Sequence, residues 1–169
     1  MPFEFRIAGG ADAAAIHELV QASFEEYRDA IPVPPRALAD DVEDDRRAAA
    51  AGRVLLALDS EPAFISGAPA IGRASLAGTA RFEPKEDSLY VGRVAVHPEY
   101  RRRGVGTALM GELERLAPHL GYSRLFLATR ESMPGNLLFY ERLGYRIVSR
   151  EPHPRGPDVI VWFEKTGLV

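Results

Sequence analysis

Apolar residues recur along this chain at two different spacings, one typical of helices and one typical of strands. Ile16, Leu19, Val20 and Phe24 follow one another at intervals of three and four, which places them on one face of a helix. Short apolar runs between glycine, proline and charged turns predict strands. The pattern predicts strands at 3–8, 53–59, 76–83, 89–96, 123–128, 145–149 and 159–164, and helices at 11–28, 36–51, 107–117 and 133–143.

This order of elements predicts an α+β fold, an α/β/α sandwich around a mixed, strongly twisted sheet. The chain shows no repeats, and its 169 residues suit one domain spanning 1–169. Residues 60–75 are expected to form a loop or an irregular hairpin. The apolar face of the predicted 36–51 helix is thin, which favours a surface or lid element.

Composition narrows the function classes. The net charge is −3, so no basic field favours nucleic acid. The absence of cysteine excludes disulfides, a thiolate nucleophile and cysteine-ligated metals, and the four histidines show no ligand spacing, so no metal is expected. Neither a signal-peptide core nor a membrane-length apolar stretch is present, and the expected location is cytoplasmic.

Residues 97–106 carry the most specific signal, because three arginines and two glycines stand between a predicted strand and a predicted helix. A helix start presents unpaired N–H groups and the positive end of the helix dipole. Gly104 and Gly106 leave room for close approach of a ligand to the backbone. The junction is therefore predicted to bind an anion, most often a phosphate.

In this context Arg101-x-x-Gly104-x-Gly106, preceded by Val96-His97-Pro98, resembles the acyl-CoA signature of the GCN5-related N-acetyltransferase (GNAT) superfamily. A second segment, from Asn136 through Tyr140 to Gly144-Tyr145, is similar to another motif of that superfamily. The resemblance is strongest over 89–148. It implies the GNAT fold, with the central sheet splayed at the CoA-binding strand.

The resemblance implies acetyl-CoA as donor substrate, with its pyrophosphate at the backbone of the arginine junction and its pantetheine along the exposed strand edge. Arg101 and Arg103 are expected to add charge, and Arg102 either adds charge or points to solvent. The expected cofactor-binding residues are Val94, Ala95, Val96, Arg101, Arg102, Arg103, Gly104, Val105, Gly106, Thr107, Asn136 and Tyr140.

The resemblance also implies direct acyl transfer to an amine. Tyr140 matches the family tyrosine that protonates the CoA sulfur, and its ordinary pKa near 10 suits a donor; the alternative is a core tyrosine. Asn136 matches a position that binds pantetheine or water, and an N-cap role is compatible with it. The strand 89–96 lacks the glutamate that many relatives carry there. Glu83 is the first substitute as base, acting through water, with Glu26 and Tyr27 as weaker candidates; an amine that arrives deprotonated needs none.

Two rival functions remain. A Rossmann enzyme would need a third glycine after Gly106, and a P-loop would need a Gly-Lys-Ser/Thr sequence; both are missing. The stronger rival is an acyl-CoA-binding sensor or interaction module without catalysis, which the absent strand acid favours and the presence of Tyr140 disfavours.

The acceptor, a small-molecule or peptide amine, is expected to bind against 24–45, 62–75 and 152–157. Acidic residues in the first of these segments, Asp40 and Asp41 among them, are hypothesised either to attract a cationic amine or to form a solvated face. A homodimer through the C-terminal strands is a further expectation, in which Trp162 and Phe163 serve either the contact or the core.

Overall fold

The computed structural model describes residues 3–61 and 67–169. These residues form a mixed sheet of eight strands with α-helices on both faces, which confirms the predicted α+β sandwich. The strands are β1 (Phe3–Ile7), β2 (Val54–Asp59), β3 (Ala70–Ile71), β4 (Ala74–Pro84), β5 (Leu89–Val96), β6 (Leu125–Arg130), β7 (Arg146–Pro152) and β8 (Val159–Lys165). The helices are α1 (Ala13–Phe24), α2 (Val42–Ala50), α3 (Val105–His119) and α4 (Pro134–Arg142).

The sheet has the order β1-β2-β4-β5-β6-β8-β7, with β3 paired to β4. All of these neighbours are antiparallel except β5 and β6, which run parallel. A parallel pair needs a crossover connection, and α3 supplies it. The start of α3 therefore lies next to the end of β5, at the only parallel junction among the described strands.

Two apolar cores sandwich the sheet, as the alternation along β2 illustrates. Leu55 and Ala57 belong to the core beneath α3 and α4, whereas Leu56 and Leu58 belong to the core beneath α1 and α2. Every residue of β2 is buried, because a strand covered on both faces buries its odd and even positions alike. This strand reads in sequence as a continuous apolar run for the same reason.

The sheet opens between β5 and β6. These strands pair only at three positions, from Leu89–Leu125 to Val91–Leu127. Beyond Val91 the two strands separate, although each continues for several residues, and this confirms the predicted splay at β5. An edge of unpaired backbone groups is thereby exposed in the middle of the sheet.

A bulge in β5 accompanies the opening. Between the pairs Thr79–Ala95 and Arg81–Gly92, β5 has one residue more than β4. Arg93, in this segment, adopts a left-handed conformation with φ of 50°. The bulge is centred on the residues between Gly92 and Ala95, and such a bulge bends a strand away from its neighbour.

The predicted 36–51 helix was wrong in its first half. The chain forms a short 3₁₀ helix at Arg36–Ala39, and α2 begins only after Asp41. Asp41 is extended, and its Oδ1 accepts a hydrogen bond of 2.9 Å from the Asp44 N–H, while Asp44 Oδ2 accepts one of 2.8 Å from the Asp41 N–H. This reciprocal capping box makes Asp41 the start of the helix.

The segment from Gly67 to Ser75 contains a hairpin of β3 and the start of β4, one of the two readings for 60–75; residues 62–66 lie outside the described part of the chain. Within the described ranges no helix is both long and apolar enough to cross a membrane.

Candidate active site

The loop between β5 and α3 is anchored by Tyr100. This side chain is fully buried, and its hydroxyl donates a hydrogen bond of 2.6 Å to Oδ2 of Asp59. Burial, reinforced by that bond to a carboxylate, raises the pKa of Tyr100 to about 12. The tyrosine therefore remains a donor to Asp59 at neutral pH and fixes the loop over the end of the sheet.

The first turn of α3 presents open backbone donors. Its N-cap, Gly104, has φ of 77° and no side chain to cap the helix. The first bond of the helix runs from the Ala108 N–H to the Gly104 carbonyl at 2.9 Å. Within residues 3–61 and 67–169, the N–H groups of Val105, Gly106 and Thr107 have no backbone partner. Together with the helix dipole, they form a site suited to an anion.

The two glycines of this turn have different roles. Gly104 is needed for its positive φ, since a Cβ there would meet nothing within 4 Å. A Cβ on Gly106 would lie 3.2 Å from Cζ of Phe139, so this glycine allows α4 to pack closely against α3. Only Gly104 faces open space, which refines the expectation that both glycines admit a ligand.

The three arginines before α3 point in different directions. Arg101 donates to the Ser23 carbonyl at 2.9 Å and forms an ion pair of 2.7 Å with Glu26, so its guanidinium ties the loop to the end of α1. The guanidinium of Arg103 lies 5.2 Å from the centre of the Tyr100 ring. Arg102 is exposed. Much of the expected cationic charge is therefore used to hold the loop.

A cavity of about 690 Å³, the larger cavity, lies over this turn. Its walls are the end of α1, the junction between β5 and α3, the edge of β5 and one face of α4. The residues that line it are Ser23, Phe24, Glu26, Tyr27, Val94, Val96, Tyr100, Arg101, Arg102, Gly104, Val105, Gly106, Thr107, Met133, Gly135, Asn136, Phe139, Tyr140 and Arg142. Ten of the twelve expected cofactor-binding residues are in this set; Ala95 and Arg103 are not.

The open edge of β5 faces this cavity at alternate residues. The His97 N–H donates to the Ala77 carbonyl at 2.9 Å, so His97 directs its backbone toward β4. Because successive residues of a strand direct these groups to opposite sides, Val96 directs its own toward the gap, whereas Ala95 faces β4. Ala95 is also buried against the core beneath α1. Of the three expected edge residues, Val94 and Val96 line the cavity.

Tyr140 lies in the gap between β5 and β6. It is 8% exposed, and its ring contacts Phe139, Tyr145 and Phe163 with centroid distances of 5.0, 5.9 and 5.8 Å. Desolvation raises the pKa of its hydroxyl well above the ordinary value, with a smaller effect of Tyr90. The residue thus belongs to the core and to the cavity wall.

Asn136 lies one helical turn before Tyr140 on α4. Its amide nitrogen donates to the hydroxyl of Thr129 at 3.3 Å, on the part of β6 that has separated from β5. It is not an N-cap, since α4 begins at Pro134 and Met133 is in the N-cap position. Thr129, which the sequence analysis missed, thereby orients the asparagine in the gap; nothing in its strand pattern distinguished it.

A second cavity of about 310 Å³, the smaller cavity, lies on the other side of the gap. Strands β5, β6 and β8 form its floor, and the 3₁₀ helix at Arg36–Ala39 and the loop after β7 form its rim. The two cavities share five lining residues: Phe24, Val94, Met133, Asn136 and Tyr140. These five residues therefore form a wall at the gap in the sheet, with one cavity on either side of it.

The candidate bases do not gather at this wall. Glu83 lines neither cavity; it is half exposed, 3.2 Å from Lys85 and 4.0 Å from Arg53. Glu26 lines the larger cavity but pairs with Arg101. Desolvation, followed by the charge of Glu26, raises the pKa of Tyr27, which keeps it protonated and unsuited to accept a proton.

The acidic residues of 24–45 mostly hold internal partners. Asp40 binds Arg93, Asp41 caps α2, and the buried Asp45 contacts both His17 at 2.9 Å and Arg81 at 2.8 Å. None of these three carboxylates lines either cavity. Asp40 is therefore engaged by Arg93 and Asp41 by the cap of α2, and neither carboxylate is positioned in a cavity to contact a cationic acceptor.

The two aromatic residues near the C-terminus lie on opposite faces of the sheet, and only Phe163 takes the expected place in the core. Phe163 is fully buried in the core beneath α3 and α4. Trp162 lies on the opposite face of the sheet, lines the smaller cavity and donates to Glu151 at 3.0 Å. The described residues contain no group of three or more His, Asp or Glu side chains arranged to hold a metal ion.

The splayed sheet, with a helix that begins uncapped at its opening, defines the class of proteins with the acyl-CoA N-acyltransferase fold. A family model described as the acetyltransferase (GNAT) family matches residues 14–145. The chain therefore belongs to the GNAT acetyltransferase family, which confirms the resemblance carried by the two motifs.

Solved structures share the fold at low sequence identity. The ribosomal-protein-S18-alanine N-acetyltransferase of Escherichia coli is 16% identical, with a TM-score of 0.72 over 99% of this chain and 95% of that one. The putative acetyltransferase yncA of Salmonella typhimurium, solved with acetyl-CoA, is 18% identical, with a TM-score of 0.72 over 98% and 94%. The paia N-acetyltransferase of Thermoplasma acidophilum, solved with coenzyme A, is 16% identical, with a TM-score of 0.69 over 98% and 99%.

Proposed function

We propose that this protein is a single-domain N-acetyltransferase that moves the acetyl group of acetyl-CoA to an amine nitrogen. The observation that carries the proposal is the wall between the two cavities, where Tyr140 and Asn136 are accessible from both sides. Donor and acceptor would then meet at one point without a covalent enzyme intermediate, which agrees with the absence of cysteine.

The larger cavity suits the donor. The free N–H groups of Val105, Gly106 and Thr107 would bind the pyrophosphate, because a helix start attracts anions. The open edge of β5 at Val94 and Val96 would pair with the amides of pantetheine as a neighbouring strand does. Acetyl-CoA is also the ligand in the Salmonella typhimurium structure of the same fold. This arrangement would place the thioester at the gap.

The transfer needs one nucleophile and one proton donor. The lone pair of an unprotonated amine attacks the carbonyl carbon of the thioester, a C–N bond forms, and the C–S bond breaks. The departing sulfur takes the proton of the Tyr140 hydroxyl, and the amine gives up one proton to solvent, from which Tyr140 is reprotonated. The raised pKa of Tyr140 keeps that proton in place until the sulfur needs it.

We propose further that no carboxylate contacts the amine, since among residues 3–61 and 67–169 neither Glu83 nor any other carboxylate lines the smaller cavity. The proton acceptor is then water, which reaches the amine through the smaller cavity. A cytoplasmic site of action is consistent with the cysteine-free composition. A homodimer stays a proposal, with the exposed edge strand β7 as its contact.

The test is calorimetric titration with acetyl-CoA, with NAD as control, followed by an amine panel that reports released thiol. Saturable binding of acetyl-CoA alone, together with thiol release that depends on the amine, supports the proposal. Binding without turnover of any amine favours the acyl-CoA-binding module instead. Binding of NAD in place of acetyl-CoA overturns both.

A further inference from the structure

The smaller cavity has an unexpected electrostatic character. Among the residues that the structure describes, its lining includes Arg36, Arg93, Arg130 and His153 but no aspartate or glutamate, in a chain whose net charge is −3. A cavity that accepts a cationic amine would be expected to offer carboxylates to it. From this charge pattern we infer that the acceptor is a small amine that itself carries a carboxylate. The inference rests on the proposed acetyl transfer and specifies its substrate class.

The positive charges of two of these arginines are partly or wholly balanced by partners within the fold. Arg93 donates to both oxygens of Asp40, at 2.7 and 3.2 Å. One terminal nitrogen of Arg130 donates to the Val33 carbonyl at 2.8 Å and lies 3.5 Å from Asp158. These bonds leave the remaining N–H groups of Arg130 without a partner in the described ranges. Arg130 therefore keeps donor capacity at the cavity wall.

Arg36 supplies charge that nothing described compensates. It is exposed, at the start of the 3₁₀ helix on the rim, and forms no hydrogen bond or ion pair with residues 3–61 or 67–169. Desolvation, and then repulsion from Arg130 and Arg155, lowers the pKa of His153, as expected beside a cationic region. Arg36 on the rim and Arg130 at the end of β6 thus give the smaller cavity a cationic side suited to a carboxylate, which a guanidinium binds through two parallel hydrogen bonds.

The floor of the smaller cavity indicates a second property of the acceptor. Tyr90 and Trp162 line it, with ring centroids 6.4 Å apart, and Ile160 lies beside them. Such a floor suits an apolar or aromatic group. A volume of about 310 Å³ suits a small molecule. The acceptor class is therefore an amine with a carboxylate and an apolar portion, of which an apolar α-amino acid is the simplest example.

The test compares phenylalanine, phenylalaninamide and phenethylamine as acceptors at saturating acetyl-CoA. The α-amine of phenylalaninamide is less basic than that of phenylalanine, so a larger fraction of it is unprotonated. Phenylalaninamide would therefore be the better acceptor if the carboxylate were not recognised. We expect phenylalanine to have the highest kcat/KM, by about 10-fold or more, as for charge-assisted hydrogen bonds. An equal or higher kcat/KM for the two amines without a carboxylate overturns the inference and leaves acetyl transfer intact.

The variant Arg36→Gln adds a residue-specific readout. It should raise KM for phenylalanine about 10-fold while changing neither KM for phenethylamine nor the affinity for acetyl-CoA. The matched control is Arg115→Gln, an identical change at an exposed position of α3 outside both cavities, which should change nothing. Equal KM values for phenylalanine in Arg36→Gln and the parent protein contradict the role of Arg36.

If acetyl-CoA binds but none of the three amines is acetylated, the inference is tested by the binding of acceptor analogues instead. Phenylpropanoate and its amide are then titrated into the CoA-saturated protein. Tighter binding of the carboxylate, lost in Arg36→Gln, supports the inference, and equal or weaker binding overturns it. Failure of acetyl-CoA itself to bind would instead overturn the proposed function, and with it the inference.

Discussion

Arg93 donates two hydrogen bonds to Asp40, from Nε to Oδ2 at 2.7 Å and from Nη2 to Oδ1 at 3.2 Å. Arg93 lies in the bulge of β5, in a left-handed conformation, and Asp40 lies just before the cap of α2. The pair therefore connects the segment that opens the sheet to the segment that forms the rim of the smaller cavity. A residue other than glycine persists in such a conformation only when its surroundings fix it.

Replacement of Asp40 tests this connection through stability. In Asp40→Asn the partly buried Arg93 loses the charge of its partner and one of its two acceptor oxygens. We expect the free energy of unfolding to fall by about 1–3 kcal/mol, measured by urea denaturation. Asp87→Asn, the same change at a largely exposed side chain, is the control and should have little effect. A stability equal to that of the control would show that the pair does not fix the bulge.

The bulge also marks the limit of what the sequence could predict. The strand 89–96, the helix after it and the anion site between them follow from local signals: an apolar run, two glycines and an apolar helical face. The partner of Arg93 does not, because Asp40 is more than fifty residues away in the chain and the two meet only in the fold. The acidic cluster at 40–45 therefore looked in sequence like an open face.

The internal partners of the arginines could not be predicted for a similar reason. The sequence indicates that Arg101 and Arg103 add positive charge at a helix start, but not that Arg101 pairs with Glu26 and that Arg103 lies over the Tyr100 ring. By contrast, the open N–H groups at the start of α3 are predictable from sequence, since N–H groups of a helix start point outward whatever the side chains do. The approach of Arg36 and Arg130 to one cavity had no local pattern, because a helix break brings one of them there and a separate strand brings the other.

Gly104 separates backbone strain from contact with the donor. Gly104→Ala and Gly104→Glu both place a Cβ at φ of 77°, at a cost of roughly 1–2 kcal/mol in unfolding free energy. Only the glutamate adds negative charge beside the free N–H groups of α3. We expect Gly104→Glu to weaken acetyl-CoA binding by at least 10-fold more than Gly104→Ala does, measured by calorimetry. Equal affinities in the two variants would place the pyrophosphate elsewhere.

Glu83 is the expected base that the fold places outside both cavities. Its carboxylate lies near Lys85 and Arg53, at the far end of the strand pair from the start of α3. We expect Glu83→Gln to change kcat/KM by less than about 2-fold at any pH. The reason is that Glu83 lines neither cavity and so is not positioned to take a proton from the amine. A loss of about 10-fold or more, with unchanged acetyl-CoA affinity, would restore Glu83 as the base.

Glu164 gives the fold a dependence on acidic pH. Its oxygens accept hydrogen bonds from Arg124 at 2.6 Å and Arg146 at 2.9 Å, and these bonds, in that order, lower the pKa of this carboxyl. A lowered pKa in the folded state contributes stability that is present above the ordinary glutamate pKa and is lost as the pH falls through the folded value. Unfolding free energy should therefore decline more steeply below about pH 4 in the parent protein than in Glu164→Gln. Parallel pH profiles in the two proteins would exclude this contribution.

The side chain of Tyr140 serves both the packing of the core and the proposed proton transfer. Because its ring fills the core beside Tyr145 and Phe163, Tyr140→Phe keeps the packing and removes only the hydroxyl. We expect kcat to fall on the order of 10²-fold, the contribution of a general acid, while acetyl-CoA affinity and unfolding free energy change little. Tyr122→Phe, a tyrosine that lines neither cavity, is the matched control.

The dependence of kcat on pH, compared between the parent protein and Tyr140→Phe, distinguishes a proton donor at position 140 from a residue that only packs. Desolvation raises its pKa above the ordinary value near 10, so the hydroxyl stays protonated throughout the neutral and mildly alkaline range. The kcat of the parent protein should therefore show no alkaline decline below about pH 10, and should rise with pH as more of the amine loses its proton. An alkaline decline near pH 8 that Tyr140→Phe abolishes would mean that burial does not hold the proton on this residue. A Tyr140→Phe variant with the kcat of the parent protein would assign protonation of the sulfur to solvent.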